Sequence, residues 1–331
     1  MLELFPLTAA TVDGELTLGA VSASELAAEH GTPVVVYCEE TIRAQARAYH
    51  EAAPDALVVY GTKAFANVAL LRILAEEGLG ADVSTLGELA IATAAGITGE
   101  RILFHGNNKS DEELRGAAEA GATVVLDAPD EPARAAAAGV RRALVRLTPG
   151  VEAVTHQSIQ TAHDESKFGL AADPALAVID EAGRLGIDVA GVHFHVGSQL
   201  ARVDESLLAV DRLAAFCERA RAELGWSPSV LDLGGGLGIR YTRDEHVPEI
   251  GEFVRPLVER LRERWPEPVQ IVLEPGRSLV GRAGVTLYRI GVLKESGGVY
   301  YAAIDGGMSD NPRPQLYGAR YEALRPRIVG H

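Results

Sequence analysis

Leu57-Val58-Val59-Tyr60-Gly61-Thr62-Lys63 reads as a short apolar strand that gives way to a lysine. Seven further apolar runs follow it, over 80–85, 102–106, 123–128, 143–149, 189–197, 230–235 and 269–275. Longer amphipathic segments separate them, and such alternation predicts repeated βα units. Several of the helices have readable ends. Ser110-Asp111-Glu112-Glu113 is a capping box, in which the serine oxygen and the glutamate three residues on each satisfy an orphan N–H. Asp173-Pro174 predicts an N-cap and a first-turn proline ahead of 175–185, with Gly186 as a left-handed terminator. Longer amphipathic helices are predicted over 203–224 and 247–265, ended by Gly225 and Pro266.

Eight such units in roughly 220 residues fit an α/β fold of the (β/α)8 barrel type, whose usual length is about 250 residues. A doubly wound open sheet is the competitor. The polar clusters decide between them, because each falls where a run ends: Lys63, Asp82-Val83-Ser84-Thr85, His105-Gly106-Asn107-Asn108, His193-Phe194-His195, a glycine run at 234–238, and Glu274-Pro275-Gly276-Arg277. Chemistry from six strand ends can converge only if the sheet closes. The barrel is expected over 37–277. The flanks, 1–36 and 278–331, carry β-like pieces around 14–18, 34–36, 285–293 and 299–304. They are expected to form a partial β domain into which the barrel is inserted.

Composition narrows the function classes. The 331 residues have a formal net charge of −15, which disfavours a nucleic-acid surface. No run of 18 apolar residues and no N-terminal leader pattern occurs, so neither membrane nor export is expected. Cys38 and Cys217 lie far apart with no zinc spacing, which is the usage expected of a cytoplasmic protein with two structural thiols.

A lysine at a strand end is often only a charge reaching the barrel rim. Lys63 gains meaning from Leu231-Asp232-Leu233-Gly234-Gly235-Gly236-Leu237-Gly238 and from Arg277. A glycine run opens a Rossmann-type site as readily as any other, but here it follows the seventh strand, and barrels use the loops after strands seven and eight for phosphate. An amine together with a phosphate site points to pyridoxal 5'-phosphate held covalently by Lys63. His193 and His195 face the same side of their strand. A His-x-His metal pair is the alternative, but it wants further histidines on later strands, so no metal is expected and an imidazole stacked on a cofactor ring fits better. Glu274 is either an ion-pair partner of Arg277 or the acid that keeps a ring nitrogen protonated. Arg277 could serve phosphate or a substrate carboxylate, and Arg313 with Tyr317 forms a candidate carboxylate clamp.

Several stretches carry a family resemblance: Tyr60-Gly61-Thr62-Lys63-Ala64-Phe65-Ala66-Asn67, 82–89, Gly106-Asn107-Asn108-Lys109-Ser110, Ser166-Lys167-Phe168-Gly169, His193-Phe194-His195-Val196-Gly197-Ser198-Gln199, Glu274-Pro275-Gly276-Arg277, Asp305-Gly306-Gly307-Met308 and Arg313-Pro314-Gln315-Leu316-Tyr317. In this order the chain resembles the fold-type III pyridoxal-phosphate-dependent amino-acid decarboxylases, most closely the branch that acts on diaminopimelate. The resemblance implies that Lys63 binds the cofactor and later returns a proton to the product, that His195 stacks on its ring, and that Glu274 meets its pyridine nitrogen. It assigns the phosphate to Ser198, Gly235, Gly236, Gly276 and Arg277, and the far substrate carboxylate to Arg277, Arg313 and Tyr317. The implied reaction converts meso-diaminopimelate to L-lysine and carbon dioxide, in a head-to-tail homodimer. A non-catalytic relative, an arginine or ornithine decarboxylase, and a racemase are the rival readings. The family pattern continues to a Cys-Glu-Ser-Gly-Asp stretch and a later tyrosine, whereas this sequence stops at His331, so a fragment of a longer protein is expected.

Overall fold

The computed structural model describes residues 2–148, 150 and 167–324; the Ser166 end of one motif lies outside them. The chain divides into two compact units. The larger comprises Arg43–Ile239 and Val247–Leu279, and the smaller draws on Met1–Ile42, Arg240–His246 and Val280–His331.

The larger unit is built on eight strands: β1 Leu57–Gly61, β2 Gly80–Val83, β3 Ile102–Phe104, β4 Thr123–Leu126, β5 Arg142–Leu147, β6 Asp188–Phe194, β7 Val230–Asp232 and β8 Gln270–Leu273. They pair in parallel in the order β6-β7-β8-β1-β2-β3-β4-β5 and close into a barrel. The open-sheet alternative is thereby excluded. Every one of the eight expected runs holds a strand, and each strand stops short of the end expected for it. The runs include the strand-end residues, and those leave the ladder to build loops.

Parallel strands covered on both faces read as continuous apolar runs, which is why these were visible. Val59, Leu103, Val125, Leu144, Ala190, Val230 and Val272 form one buried cluster. Seven strands contribute to it, so it is the filling of the barrel interior. Seven helices follow the first seven strands: α1 Val68–Glu76, α2 Leu86–Ala94, α3 Asp111–Glu119, α4 Glu131–Ala137, α5 Ala172–Arg184, α6 Asp204–Leu224 and α7 Ile250–Arg264. In α6 the buried positions Ala209, Val210, Leu213, Ala214, Cys217 and Ala220 follow the helical period, and left-handed Gly225 ends the helix. The capping box at Ser110 is present at the start of α3.

Two helix starts differ from expectation. Helix α5 begins at Ala172 behind an extended Ala171, so Asp173 lies in the first turn and complements the positive end of the helix dipole instead of capping. Helix α7 begins at Ile250, because Pro248 disfavours helix at Val247 and Glu249 takes over the cap. No helix among the described residues is long and apolar enough to cross a membrane.

Strands β5 and β6 shift register between Val189 and Gly191. A side chain at Gly191 would overlap the Val230 carbonyl of β7, so only glycine allows the strands to meet there. Gly191→Ala is expected to lower unfolding free energy by about 3 kcal/mol or more, read by urea titration.

In the smaller unit Ala10–Val12, Glu15–Leu18 and Val21–Ser22 make an antiparallel sheet. The strand expected over 285–293 divides in two. Gly284–Leu287 pairs with Val34–Tyr37, and Ile290–Ser296 pairs with Val299–Ile304. Leu16, Ala23 and Leu287 anchor the core of this unit, with Leu2, Phe5, Val34, Val36 and Val285 packed against them.

Candidate active site

The C-terminal ends of the barrel strands surround a cleft of about 450 Å³. Lys63, His195, Ser198 and Glu274 line it together, as do His105, Arg146 and His193. Strand β1 ends at Gly61, whose N–H donates to the Pro275 carbonyl at 3.0 Å. A single 3-10 turn, Thr62–Ala64, then swings Lys63 into the cleft. Thr62 Oγ1 pins that turn by donating to the Asp82 carbonyl at 2.7 Å.

Lys63 Nζ lies 3.3 Å from Asp82 Oδ2, with its side chain 62 % exposed and that of Asp82 only 3 %. Asp82 raises the lysine pKa above its ordinary value, burial opposes this, and Glu274 adds to the rise. Asp82 therefore holds the amine as a cation at the cleft.

The glycine run sits against the ends of β6 and β8. A Cβ at Gly235 would overlap the Glu274 carbonyl, and one at Gly236 the Gly197 carbonyl. Gly234 is left-handed, with φ +63°. Its N–H donates to Asp232 Oδ1 at 2.8 Å, and the Gly235 N–H donates to His195 Nδ1 at 3.4 Å. That contact makes Nδ1 an acceptor. Burial, then the nearby Lys63 ammonium, pushes the His195 pKa well below its usual value, so the ring is neutral.

Glu274 is buried at the cleft wall. His105 Nε2 donates to its Oε1 at 2.7 Å and His193 Nε2 to its Oε2 at 3.0 Å. Burial alone would raise its pKa, but the two histidines outweigh that and hold it well below the carboxylate range. Asp232 moves the other way, raised well above its usual value by burial and then by Glu274. The two acids are thus pushed in opposite directions, Glu274 toward its ionised form and Asp232 toward its protonated form.

Burial lowers the His193 pKa to about 4 against the pull of Glu274. A folded-state pKa below the unfolded value gives stability that is present above about pH 6.5 and lost as pH falls toward the folded value. Unfolding free energy is expected to drop by about 2 kcal/mol from His193 alone between pH 7 and pH 5. Urea titrations at both pH values should show this difference in the parent chain and not in His193→Gln.

The wall after β3 rests on a buried pair. Lys109 Nζ donates to Glu131 Oε1 at 2.8 Å and to the Gly106 carbonyl at 2.6 Å, with both side chains almost fully buried. Glu131 Oε2 also accepts the N–H groups of Asp127 and Ala128. Glu131→Gln would leave the Lys109 ammonium without its counter-charge, and a loss of about 3–5 kcal/mol in stability is expected by denaturant titration. Next along the rim, Arg146 lies 3.7 Å from Asp127 Oδ2 and stacks its guanidinium 4.8 Å from the Phe168 ring centroid.

Gly276 packs its backbone against Gly61, and Arg277 opens the turn Arg277–Val280. Arg313 and Tyr317 belong to the smaller unit, at the two ends of a short helix. There Arg313 stacks over Tyr241 and donates to the Tyr321 hydroxyl at 2.9 Å. Asp82, His105 and Arg146 are site residues that the sequence reading did not assign. Asp82 and Arg146 did leave a signal: each is a charge inside an otherwise apolar strand, which is costly unless paired.

Residues 39–281 match the pyridoxal binding domain of the pyridoxal-dependent decarboxylases. The diaminopimelate decarboxylase of Actinosynnema pretiosum is 43 % identical over 99 % of this chain and 76 % of its own length. That of Bacillus subtilis is 40 % identical over 96 % of this chain and 76 % of its own length. Among solved structures, M. jannaschii diaminopimelate decarboxylase in complex with L-lysine is 32 % identical. It superposes with a TM-score of 0.89, covering 96 % of this chain and 77 % of that one.

Proposed function

The chain belongs to the pyridoxal-dependent decarboxylases, and we propose that it removes carbon dioxide from meso-diaminopimelate to leave L-lysine, with pyridoxal 5'-phosphate as its cofactor. The observation that carries this reading is the convergence of Lys63, His195 and Glu274 on one cleft, in a chain 43 % identical to a diaminopimelate decarboxylase.

The donor set suits the cofactor. It offers an amine, a neutral imidazole, an ionised buried carboxylate and a glycine run whose backbone no side chain could share. Lys63 would hold the aldehyde carbon covalently, and His195 would lie along the ring. Glu274 would accept a hydrogen bond from the ring nitrogen. Ser198, with the amides of Gly235, Gly236, Gly276 and Arg277, would take the phosphate. When bound, the cofactor supplies a protonated ring that takes up the electron pair left by the departing carbon dioxide.

The chain's own residues do the rest. Ionised Glu274 favours the protonated ring nitrogen. Asp82 holds the Lys63 amine at the cleft, and Lys63 delivers the proton that replaces the lost carboxylate at the α-carbon. Arg277 binds the carboxylate that stays, which orients a substrate bearing two amino-acid ends. The domain that carries this chemistry spans 37–277, and the assembly proposed for the full-length form is a head-to-tail homodimer. Carbon dioxide release measured on meso-diaminopimelate, lysine, ornithine and arginine is expected to be fastest on the first. Preference for arginine or ornithine would overturn the substrate assignment, and no release from any of them would favour a non-catalytic relative.

A further inference from the structure

Glu274 is reached by two histidines that nothing in local sequence brings to it. Its strand, β8, stands three places from β3 and two from β6 around the closed barrel. Yet His105, just after β3, and His193, in β6, each meet one of its two carboxylate oxygens. Their rings stand edge to face, with centroids 4.8 Å apart and planes at 71°, so the two N–H groups approach from different directions. All three side chains are at most 7 % exposed, so water cannot take over either bond.

We propose that His105 and His193 are positioning residues that act through Glu274: each donates to a different carboxylate oxygen and so fixes the orientation of the carboxylate that meets the cofactor's ring nitrogen. This rests on the cofactor reading above and deepens it. His193 supports the assignment by what it lacks. Its Nδ1 is buried with no partner among the described residues, and its Nε2 is turned toward Glu274. An unpartnered buried nitrogen is unfavourable, and the bond on the other side of the ring offsets it. The other charged and titratable groups around the cluster are Lys63, Asp82, Arg146, His195 and Asp232. Of these, Asp82 comes within 3.8 Å of His105 Nε2, and Asp232 neighbours Glu274. Both histidine donors meet Glu274 and not Asp232.

The test uses pyridoxal phosphate and its 1-deaza analogue, which carries a C–H in place of the ring nitrogen. Each is titrated into the chain after removal of bound cofactor, and neither titration requires decarboxylation. Glutamine places an N–H near the position of histidine Nε2, whereas asparagine places it near Nδ1. The parent chain is expected to prefer pyridoxal phosphate over the analogue by about 10-fold or more. His105→Asn and His193→Asn should each cut that preference to within about 3-fold, while affinity for the analogue changes by less than about 3-fold. His105→Gln and His193→Gln should keep most of the preference.

Equal losses for both ligands, or asparagine and glutamine variants that behave alike, would overturn the positioning role and leave the decarboxylase reading standing. A parent chain that does not discriminate between the two ligands would overturn the pairing of Glu274 with the ring nitrogen, and the positioning role with it.

Discussion

Lys63→Ala is expected to lower kcat by about 10⁴-fold or more and to abolish the visible absorbance that borohydride removes from the parent protein. The turn at 62–64 is pinned to β2 through Thr62 and to the segment after β8 through Gly61. It places one amine in the cleft, 3.3 Å from Asp82. The other lysine of the cleft wall, Lys109, is engaged with Glu131 and the Gly106 carbonyl and almost fully buried, so it cannot substitute. Lys63→Arg should be equally inactive, because a guanidinium does not lose its proton and cannot form the covalent link. The measurements are a turnover assay and an absorbance spectrum with and without borohydride. A Lys63→Ala protein that keeps a borohydride-sensitive band would refute the assignment of the anchor.

Glu274→Gln is expected to lower kcat by about 10²–10³-fold, since an amide cannot favour a positively charged ring nitrogen as a carboxylate does. It should also cost stability. In the native site both oxygens accept, one from His105 and one from His193. A glutamine turns one acceptor into an N–H₂ group that faces a histidine N–H, and two donors pointed at each other in a buried site cost about 2 kcal/mol. The two effects separate experimentally: denaturant titration reads the stability, and turnover with saturating cofactor reads the chemistry. A variant with parental kcat would remove Glu274 from the mechanism, whatever its stability.

The barrel was legible because its strands are buried on both faces. Leu57–Gly61 and Ile102–Phe104 show as apolar runs, and polar residues follow where each leaves the ladder. Lys63, His195 and Glu274 could be picked out as chemistry-bearing residues at strand ends, whereas Ser198 came only from the family resemblance. Helix starts were less legible. Asp173 has the residue type of a cap, but the backbone turns two residues earlier, at Ala171.

The least legible residues were those whose role is a partnership across the barrel. His105 and Glu274 are 169 positions apart and meet at 2.7 Å. Lys109 reads as a surface charge beside a capping box, yet it is buried against Glu131. Taken alone, the sequence determined the eight strands, the end of the barrel that carries the chemistry, and the side chains offered there. Periodicity and turn chemistry act over a few residues, so they are written locally. Tertiary structure alone decided that Asp82 holds Lys63, that two histidines clamp Glu274, and that the pKa values of Glu274 and Asp232 move in opposite directions. Those outcomes depend on which strand ends closure brings together and on how far burial strengthens each charge there, and no local pattern encodes either.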